Sequence, residues 1–185
     1  LNFYAENIFD NFLFKVNSDE NTILHYFGQY CENTKIFECF WVKIKEFSND
    51  DEKLKNFLLA NGEFKQNALL LSIGERNEIS FCFLFEQIYC KIFKIEEFAY
   101  ETDWIDRNLL HLLAEYGSVP MLKIALKKLK TELSHENFHN LVKFKSKYGA
   151  NILHQAARNR NEESDGVLVN FIKKEVNSEV VKEML

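Results

Sequence analysis

The stretch Asn151-Ile152-Leu153-His154-Gln155-Ala156-Ala157 decides the fold of this chain, because its opening recurs along the sequence. A polar residue, two apolar residues and a histidine open it. The same phrase, in full or with one change, occurs three times earlier: at Thr22-Ile23-Leu24-His25, Asn67-Ala68-Leu69-Leu70 and Asn108-Leu109-Leu110-His111. The last residues of successive copies are 45, 41 and 43 positions apart. A step this regular predicts an internal structural repeat.

Each phrase predicts the start of a helix, and a second apolar run follows it after a polar break. The second runs cover residues 36–44, 79–93, 119–129 and 167–176, and the fourth break is expected at 161–165. In the third copy the apolar residues fall at helical spacing. Ser118 suits the N-cap there, and Pro120 falls in the first turn, where its missing N–H costs little. We expect a helix–turn–helix unit four times over.

A shorter third helix is predicted after the second one. Capping residues precede apolar runs at 48–59 and 134–142, and residues 95–98 are a reduced version. The chain is therefore expected to be all-α, with residues 1–185 forming a single array. It would hold a partial repeat and four full ones, at 1–17 and then at about 18–62, 63–103, 104–146 and 147–185. Because both ends fall inside a repeat, we expect a segment of a longer protein.

The phrases at 22–25 and 151–157 resemble the ankyrin signature T-P-L-H-x-A-A, which opens the first helix of an ankyrin repeat. Asp19, Gly149 and Gly117 resemble the turn residues around it. The resemblance spans about residues 19 to 176 and implies an ankyrin-like helical-repeat solenoid with an extra short helix per repeat. The steps of 41 to 45 exceed the ankyrin step of about 33. HEAT-like helical repeats, with longer steps, are the structural alternative.

The polar residues of the phrase have a structural interpretation. Thr or Asn at a helix start can accept hydrogen bonds from exposed backbone N–H groups. A histidine in the first turn can tie the preceding loop to the helix, because one ring nitrogen donates and the other accepts. The repeat-signature residues are Thr22, His25, Asn67, Asn108, His111, Asn151 and His154.

The resemblance implies a non-catalytic module that binds another protein through its hairpin tips and first helices. Exposed aromatic and arginine side chains dominate the energetics of such interfaces. Carried onto this sequence, the candidate partner-binding residues are Trp104, Arg107, Glu115, Tyr116, Tyr148, Arg158 and Asn159. The alternative is a targeting or scaffold segment of a larger effector, toxin or enzyme whose catalytic domain lies outside these residues.

One string has a catalytic interpretation. His135-Glu136-Asn137-Phe138-His139 matches H-E-x-x-H, in which two histidines bind Zn²⁺ and the glutamate activates water. Glu162 or Glu163 would be the third ligand of such a zinc metalloprotease. The equivalent short helices of the other copies contain no histidine, however, and a helix of this length is expected at the surface. We therefore expect neither catalysis nor a bound metal or other cofactor here.

The charge of the chain limits the classes of ligand to expect, and its cysteines indicate a redox compartment. The net charge of −5 disfavours nucleic-acid binding. The sequence has no phosphate-binding glycine loop, which disfavours nucleotide chemistry. Residues 120–174 carry a net +6, which indicates a solvated face or, as the alternative, a patch that meets a partner protein with an acidic surface. No apolar run predicts membrane insertion. The four cysteines, Cys31, Cys39, Cys82 and Cys90, are interpreted as reduced, buried core thiols of a cytoplasmic protein.

Overall fold

The computed structural model of the chain describes residues 13–47, 50–159, 162–176 and 178–184. The described residues are helical and contain no strand, apart from one antiparallel bridge between Thr102 and Asn108. The all-α prediction is confirmed. In the same ranges no helix has both the length and the apolar character needed to cross a bilayer. The predicted partial repeat at 1–17 lies mostly outside the described residues.

The chain divides into two compact units, residues 1–93 and 94–185. The first unit contains α1 (Ile23–Tyr30), α2 (Thr34–Phe47), α3 (Asp51–Leu58), a 3₁₀ turn (Glu63–Lys65), α4 (Ala68–Gly74), α5 (Glu78–Cys82), a π-helical segment (Phe83–Tyr89) and α6 (Cys90–Ile92). The second contains α7 (Glu96–Ala99), α8 (Leu109–Tyr116), α9 (Val119–Glu132), α10 (His135–Lys143), α11 (Ile152–Ala156), α12 (Glu162–Glu175) and α13 (Ser178–Met184).

Helices of equivalent sequence position pack on one another inside each unit. In the first unit α1, which follows the first phrase, packs mainly against α4, which follows the second. In the second unit the first helices α8 and α11 are in contact, as are the second helices α9 and α12 and the third helices α10 and α13. Counterpart packing is therefore observed for the first helices of both units and for all three kinds of helix in the second unit.

The core is built from aliphatic and phenyl side chains on these faces. Phe37, Phe57, Phe81, Phe85 and Phe98 are almost fully buried. Buried apolar area stabilises a fold by roughly 25 cal/mol per Å², so the large phenyl rings contribute strongly to each unit. The interpretation of the phenylalanines as core residues is confirmed for these five.

Three sequence expectations are corrected by the structure. None of the four cysteines is buried: Cys39 is exposed and the other three are partly exposed, because they lie at the margins of the apolar helix faces. All four are free thiols. A polar break was expected at residues 161–165, but α12 begins at Glu162, so this prediction is wrong for residues 162–165. The second helix of the second copy is interrupted by the π-helical segment, which the periodicity did not indicate.

Candidate functional site

Four turns of one geometry precede the four phrases. In each turn the backbone N–H five residues before the N-cap donates to the carbonyl directly before the N-cap. The four N···O distances are 3.1, 2.9, 3.1 and 2.8 Å, for Asn17–Asn21, Gly62–Gln66, Asp103–Arg107 and Ser146–Ala150. These turns, here called the tips, recur at every copy of the phrase.

A residue with positive φ lies two positions before each N-cap. Its φ is 63° at Glu20, 54° at Lys65, 59° at Asp106 and 75° at Gly149. Only glycine adopts this left-handed conformation without steric cost. Only at Gly149 does the residue type indicate a left-handed conformation, because the other three copies have larger residues at the same place.

Polar side chains support two of the tips in the same way. Oδ1 of Asn17 accepts hydrogen bonds from the N–H groups of Asp19 (3.0 Å) and Asn21 (2.9 Å). Oδ1 of Asp103 likewise accepts from the N–H groups of Ile105 (3.1 Å) and Arg107 (2.8 Å). The residue five positions before the N-cap therefore organises the tip in both units.

Neighbouring tips within a unit are hydrogen-bonded to each other. In the first unit the N–H of Glu63 donates to Oδ1 of Asn21 over 3.1 Å. In the second unit the N–H of Lys147 donates to the carbonyl of Ile105 over 2.9 Å. Adjacent tips thus lie side by side in each unit.

The asparagine residues of the phrase cap the first helices. Oδ1 of Asn67 accepts from the N–H of Leu70 (3.0 Å), and Oδ1 of Asn108 accepts from the N–H of His111 (3.1 Å). Asn151 Oδ1 accepts from the N–H of His154 (3.2 Å). Each bond satisfies a donor that the first helical turn leaves unpaired. The capping expected of these residues is observed.

His25 ties the first copy to the second. The N–H of Thr22 donates to Nδ1 of His25 over 3.0 Å, and Nε2 lies 3.0 Å from the carbonyl oxygen of Gln66. Because Nδ1 accepts, the ring proton is on Nε2 and is donated to Gln66. Burial lowers the pKa of His25, so the ring remains neutral.

His111 makes the corresponding link in the second unit. Its Nδ1 lies 2.7 Å from Oδ1 of Asn108 and its Nε2 lies 3.1 Å from the carbonyl oxygen of Ala150. Burial lowers the pKa of His111 to about 4, although the Ala150 carbonyl opposes the shift. Gln66 and Ala150 each directly precede the next phrase, so both histidines reach the same point of the following copy.

The other two copies depart from this pattern. Leu70 replaces the histidine and is buried in the apolar core. His154 keeps the contact within its phrase, with Nδ1 2.7 Å from Oδ1 of Asn151, but its side chain is exposed. The described residues offer no partner to its Nε2. The histidine link therefore occurs once in each unit.

Two of the candidate partner-binding residues are buried, so the exposure expected of them is wrong. Glu115 is only 6% exposed and Oε2 accepts from Nη1 of Arg107 over 2.7 Å. Asn159 is also buried, and its Nδ2 donates to the carbonyl of Ala114 over 3.1 Å. Arg107 itself is largely covered, since its Nε also donates to the buried carboxylate of Asp103 over 2.8 Å. These side chains hold the third tip against its first helix.

The remaining candidates lie at the surface to different degrees. Trp104 is 53% exposed and Tyr148 is 72% exposed, and both are tip residues. Arg158 is exposed at the end of α11, whereas Tyr116 is half-buried beside Arg107. The structure adds Phe64, a tip residue of the second copy that is 55% exposed and has a φ of 58°. Phe64 was not among the candidates predicted from the sequence, because apolar residues are usually expected in the core.

The H-E-x-x-H string lies on α10 with its two imidazole rings close together. The ring centroids of His135 and His139 are 3.9 Å apart. His135 is exposed, whereas His139 is buried and its Nε2 has no hydrogen-bond partner in the described structure. Burial lowers the pKa of His139, and the charges of His135 and Lys143 lower it further. Across the described ranges no three His, Cys, Asp or Glu side chains are grouped to hold a metal ion.

Part of the basic stretch at 120–174 is paired within the second unit. Lys128 forms an ion pair with Glu132, and Lys130 forms one with Glu175. Lys143 lies 3.1 Å from Glu183. These pairs reduce the positive charge that the stretch presents to a partner.

Comparisons with known proteins add no assignment. No protein-family model matches the chain, and no curated protein matches it.

Proposed function

We propose that this chain is a divergent ankyrin-like repeat protein that binds another protein through its tips and first helices. The observation that carries the proposal is the fourfold recurrence of one turn, with the same closing hydrogen bond and the same positive-φ position before each phrase. Packing of equivalent helices and the two histidine links support it. A repeat of this kind presents its tips as a row of solvent-facing loops, which suits binding rather than catalysis.

The side chains on these elements suit a protein interface. Trp104 and Tyr148 project from neighbouring tips of the second unit. In the first unit Tyr26 and Tyr30 on α1 are exposed and stacked, with ring centroids 6.1 Å apart. Large, rigid aromatic side chains bury much area at low entropic cost, which makes them frequent hot spots.

A comparison of variants tests the proposal. The purified chain is used as bait in an extract of its source cells, and each captured protein is then titrated against the wild type and the variants. We expect the double variant Trp104→Ala, Tyr148→Ala to weaken binding by about tenfold or more, as loss of a hot-spot side chain does. His135→Ala is the matched control, since its side chain is exposed on the third helix of the same unit. Equal binding by both variants, with unchanged circular dichroism, would refute a role for the tips.

A further inference from the structure

A second surface, away from the tips, lies within the first unit. A groove of about 700 Å³ runs between α2 and the helix made of α5 and the π-helical segment. Its floor includes the buried rings of Trp41 and Phe83. Val42 and Ile79, which also line it, are 49% and 40% exposed. Exposed apolar side chains rimmed by polar and charged ones, as in this groove, are typical of interaction surfaces.

Carboxylates line the same groove. Glu78 and Glu86 lie on one wall and Glu38 on the other. Burial raises the pKa of the Cys82 thiol at the groove to about 11, and the charges of Glu78 and Glu86 add to that rise. Within the described ranges neither Glu38 nor Glu86 forms an ion pair.

Two lysines, Lys45 and Lys91, also line the groove, so its three carboxylates exceed its cations by one. Nζ of Lys45 lies 6.0 Å from the ring centroid of Trp41, and Nζ of Lys91 donates to Oε1 of Gln87 over 2.6 Å. Because neither lysine pairs with Glu38 or Glu86 in the described part of the chain, these two carboxylates can attract a cationic ligand. On a larger scale, residues 1–92 contain 9 basic and 14 acidic residues, so the field around this half of the chain also attracts cations.

The wall that carries Glu86 has an unusual backbone. The segment Phe83–Tyr89 is π-helical over seven residues. Such segments are rare and frequently occur at functional sites, because the wider turn changes which side chains share a face. Tyr89 anchors the buried side of the segment by donating its hydroxyl proton to the carbonyl of Leu58. The opposite side, with Glu86 and Gln87, faces the solvent and lines the groove.

We propose that this groove binds a basic amphipathic helix of a partner protein. Apolar residues of that helix would contact Val42, Ile79 and the floor, while its lysine or arginine residues would pair with the carboxylates. A second copy of this chain fits less well, because its basic helix α9 buries its own apolar residues, Met121 and Leu122 among them. The proposed surface is separate from the tips and goes beyond the function proposed above.

Fluorescence anisotropy with a designed probe tests this inference. The probe is a fluorescein-labelled peptide of about 14 residues with lysine and leucine at amphipathic helical spacing. Two further peptides replace every lysine by glutamate or every leucine by serine. We expect only the lysine–leucine peptide to saturate the protein, with an affinity that falls as salt is raised.

Matched variants locate the binding site. The double variant Glu38→Lys, Glu86→Lys should weaken binding by roughly tenfold or more, whereas Glu52→Lys, at an exposed carboxylate on α3 outside the groove, should change it less than about twofold. Val42→Glu should weaken binding, and Ile36→Glu on the same helix but outside the groove should not. Equal effects of groove and control variants, equal binding of the serine peptide, or no binding of the lysine–leucine peptide would each overturn the proposal. Self-association of the protein alone that Glu38→Lys abolishes would also overturn it, in favour of a second copy as the occupant.

Discussion

Acidification should destabilise the second unit through His111. Its ring is fully buried and its pKa is lowered to about 4, against 6.5 for an unperturbed histidine. A group whose folded pKa lies below its unfolded pKa binds protons mainly after unfolding, so the stability that it contributes is complete above pH 6.5 and is lost as the pH falls. Linkage gives a loss of about 2 kcal/mol at pH 5 and about 3 kcal/mol at pH 4 from this residue alone.

Urea unfolding of the wild type and of His111→Gln measures this loss. Glutamine is similar in reach and does not titrate, so the difference in unfolding free energy between wild type and variant should shrink by about 2 kcal/mol between pH 7 and pH 5. A Trp41→Phe background leaves Trp104, in the same unit as His111, as the fluorescent reporter.

His154→Gln is the matched control for this experiment. His154 has the same place in its phrase, but its side chain is exposed and makes no link to a following copy in the described residues, so its replacement should cost less stability at pH 7 than His111→Gln. A wild-type–variant difference for His111→Gln that is the same at pH 7 and pH 5 would refute the buried neutral histidine link. An equal loss of stability at pH 7 in both variants would refute it as well.

Three further outcomes are expected. At pH 8 iodoacetamide should modify exposed Cys39 at least about tenfold faster than Cys82, because the pKa of the Cys82 thiol is raised to about 11. Peptide mapping by mass spectrometry measures the two rates, and similar rates would contradict the raised pKa of Cys82. Charge reversal at the exposed residues Lys123 and Lys127 should lower the association rate with an acidic partner, measured by surface plasmon resonance at two salt concentrations, and an unchanged rate would exclude steering by these lysines. Elemental analysis of the purified protein should find no stoichiometric zinc, whereas one zinc per chain that is lost in His139→Ala would establish the metal site.

The helices could be predicted because each carries a local signal. Asn108 and Ser118 are caps that the sequence displays, and the structure begins α8 and α9 directly after them. The tips were harder to predict, since the backbone geometry is shared by residues as different as Lys65 and Gly149. A turn held by backbone hydrogen bonds imposes little on side-chain identity, so three of its four copies leave no recognisable motif.

The candidate interface was predicted less well than the fold. Glu115 was expected at the surface because the ankyrin resemblance implies an exposed face on the first helices, but Glu115 is buried and its pairing with Arg107 offsets the cost of burial. That contact joins two residues that no local pattern connects. The groove beside Cys82 was missed for a similar reason, because it depends on how α2 and the π-helical segment meet in space.

The residues with a left-handed backbone conformation at the tips lower the free energy of unfolding of this protein. Glu20, Lys65 and Asp106 each hold a conformation that glycine would adopt more easily, and all three side chains are exposed. A non-glycine residue in this conformation costs on the order of 1 kcal/mol. Natural variation could therefore recover stability at three surface positions by a single substitution each. Glycine at these three positions should therefore raise the free energy of unfolding without changing any buried contact.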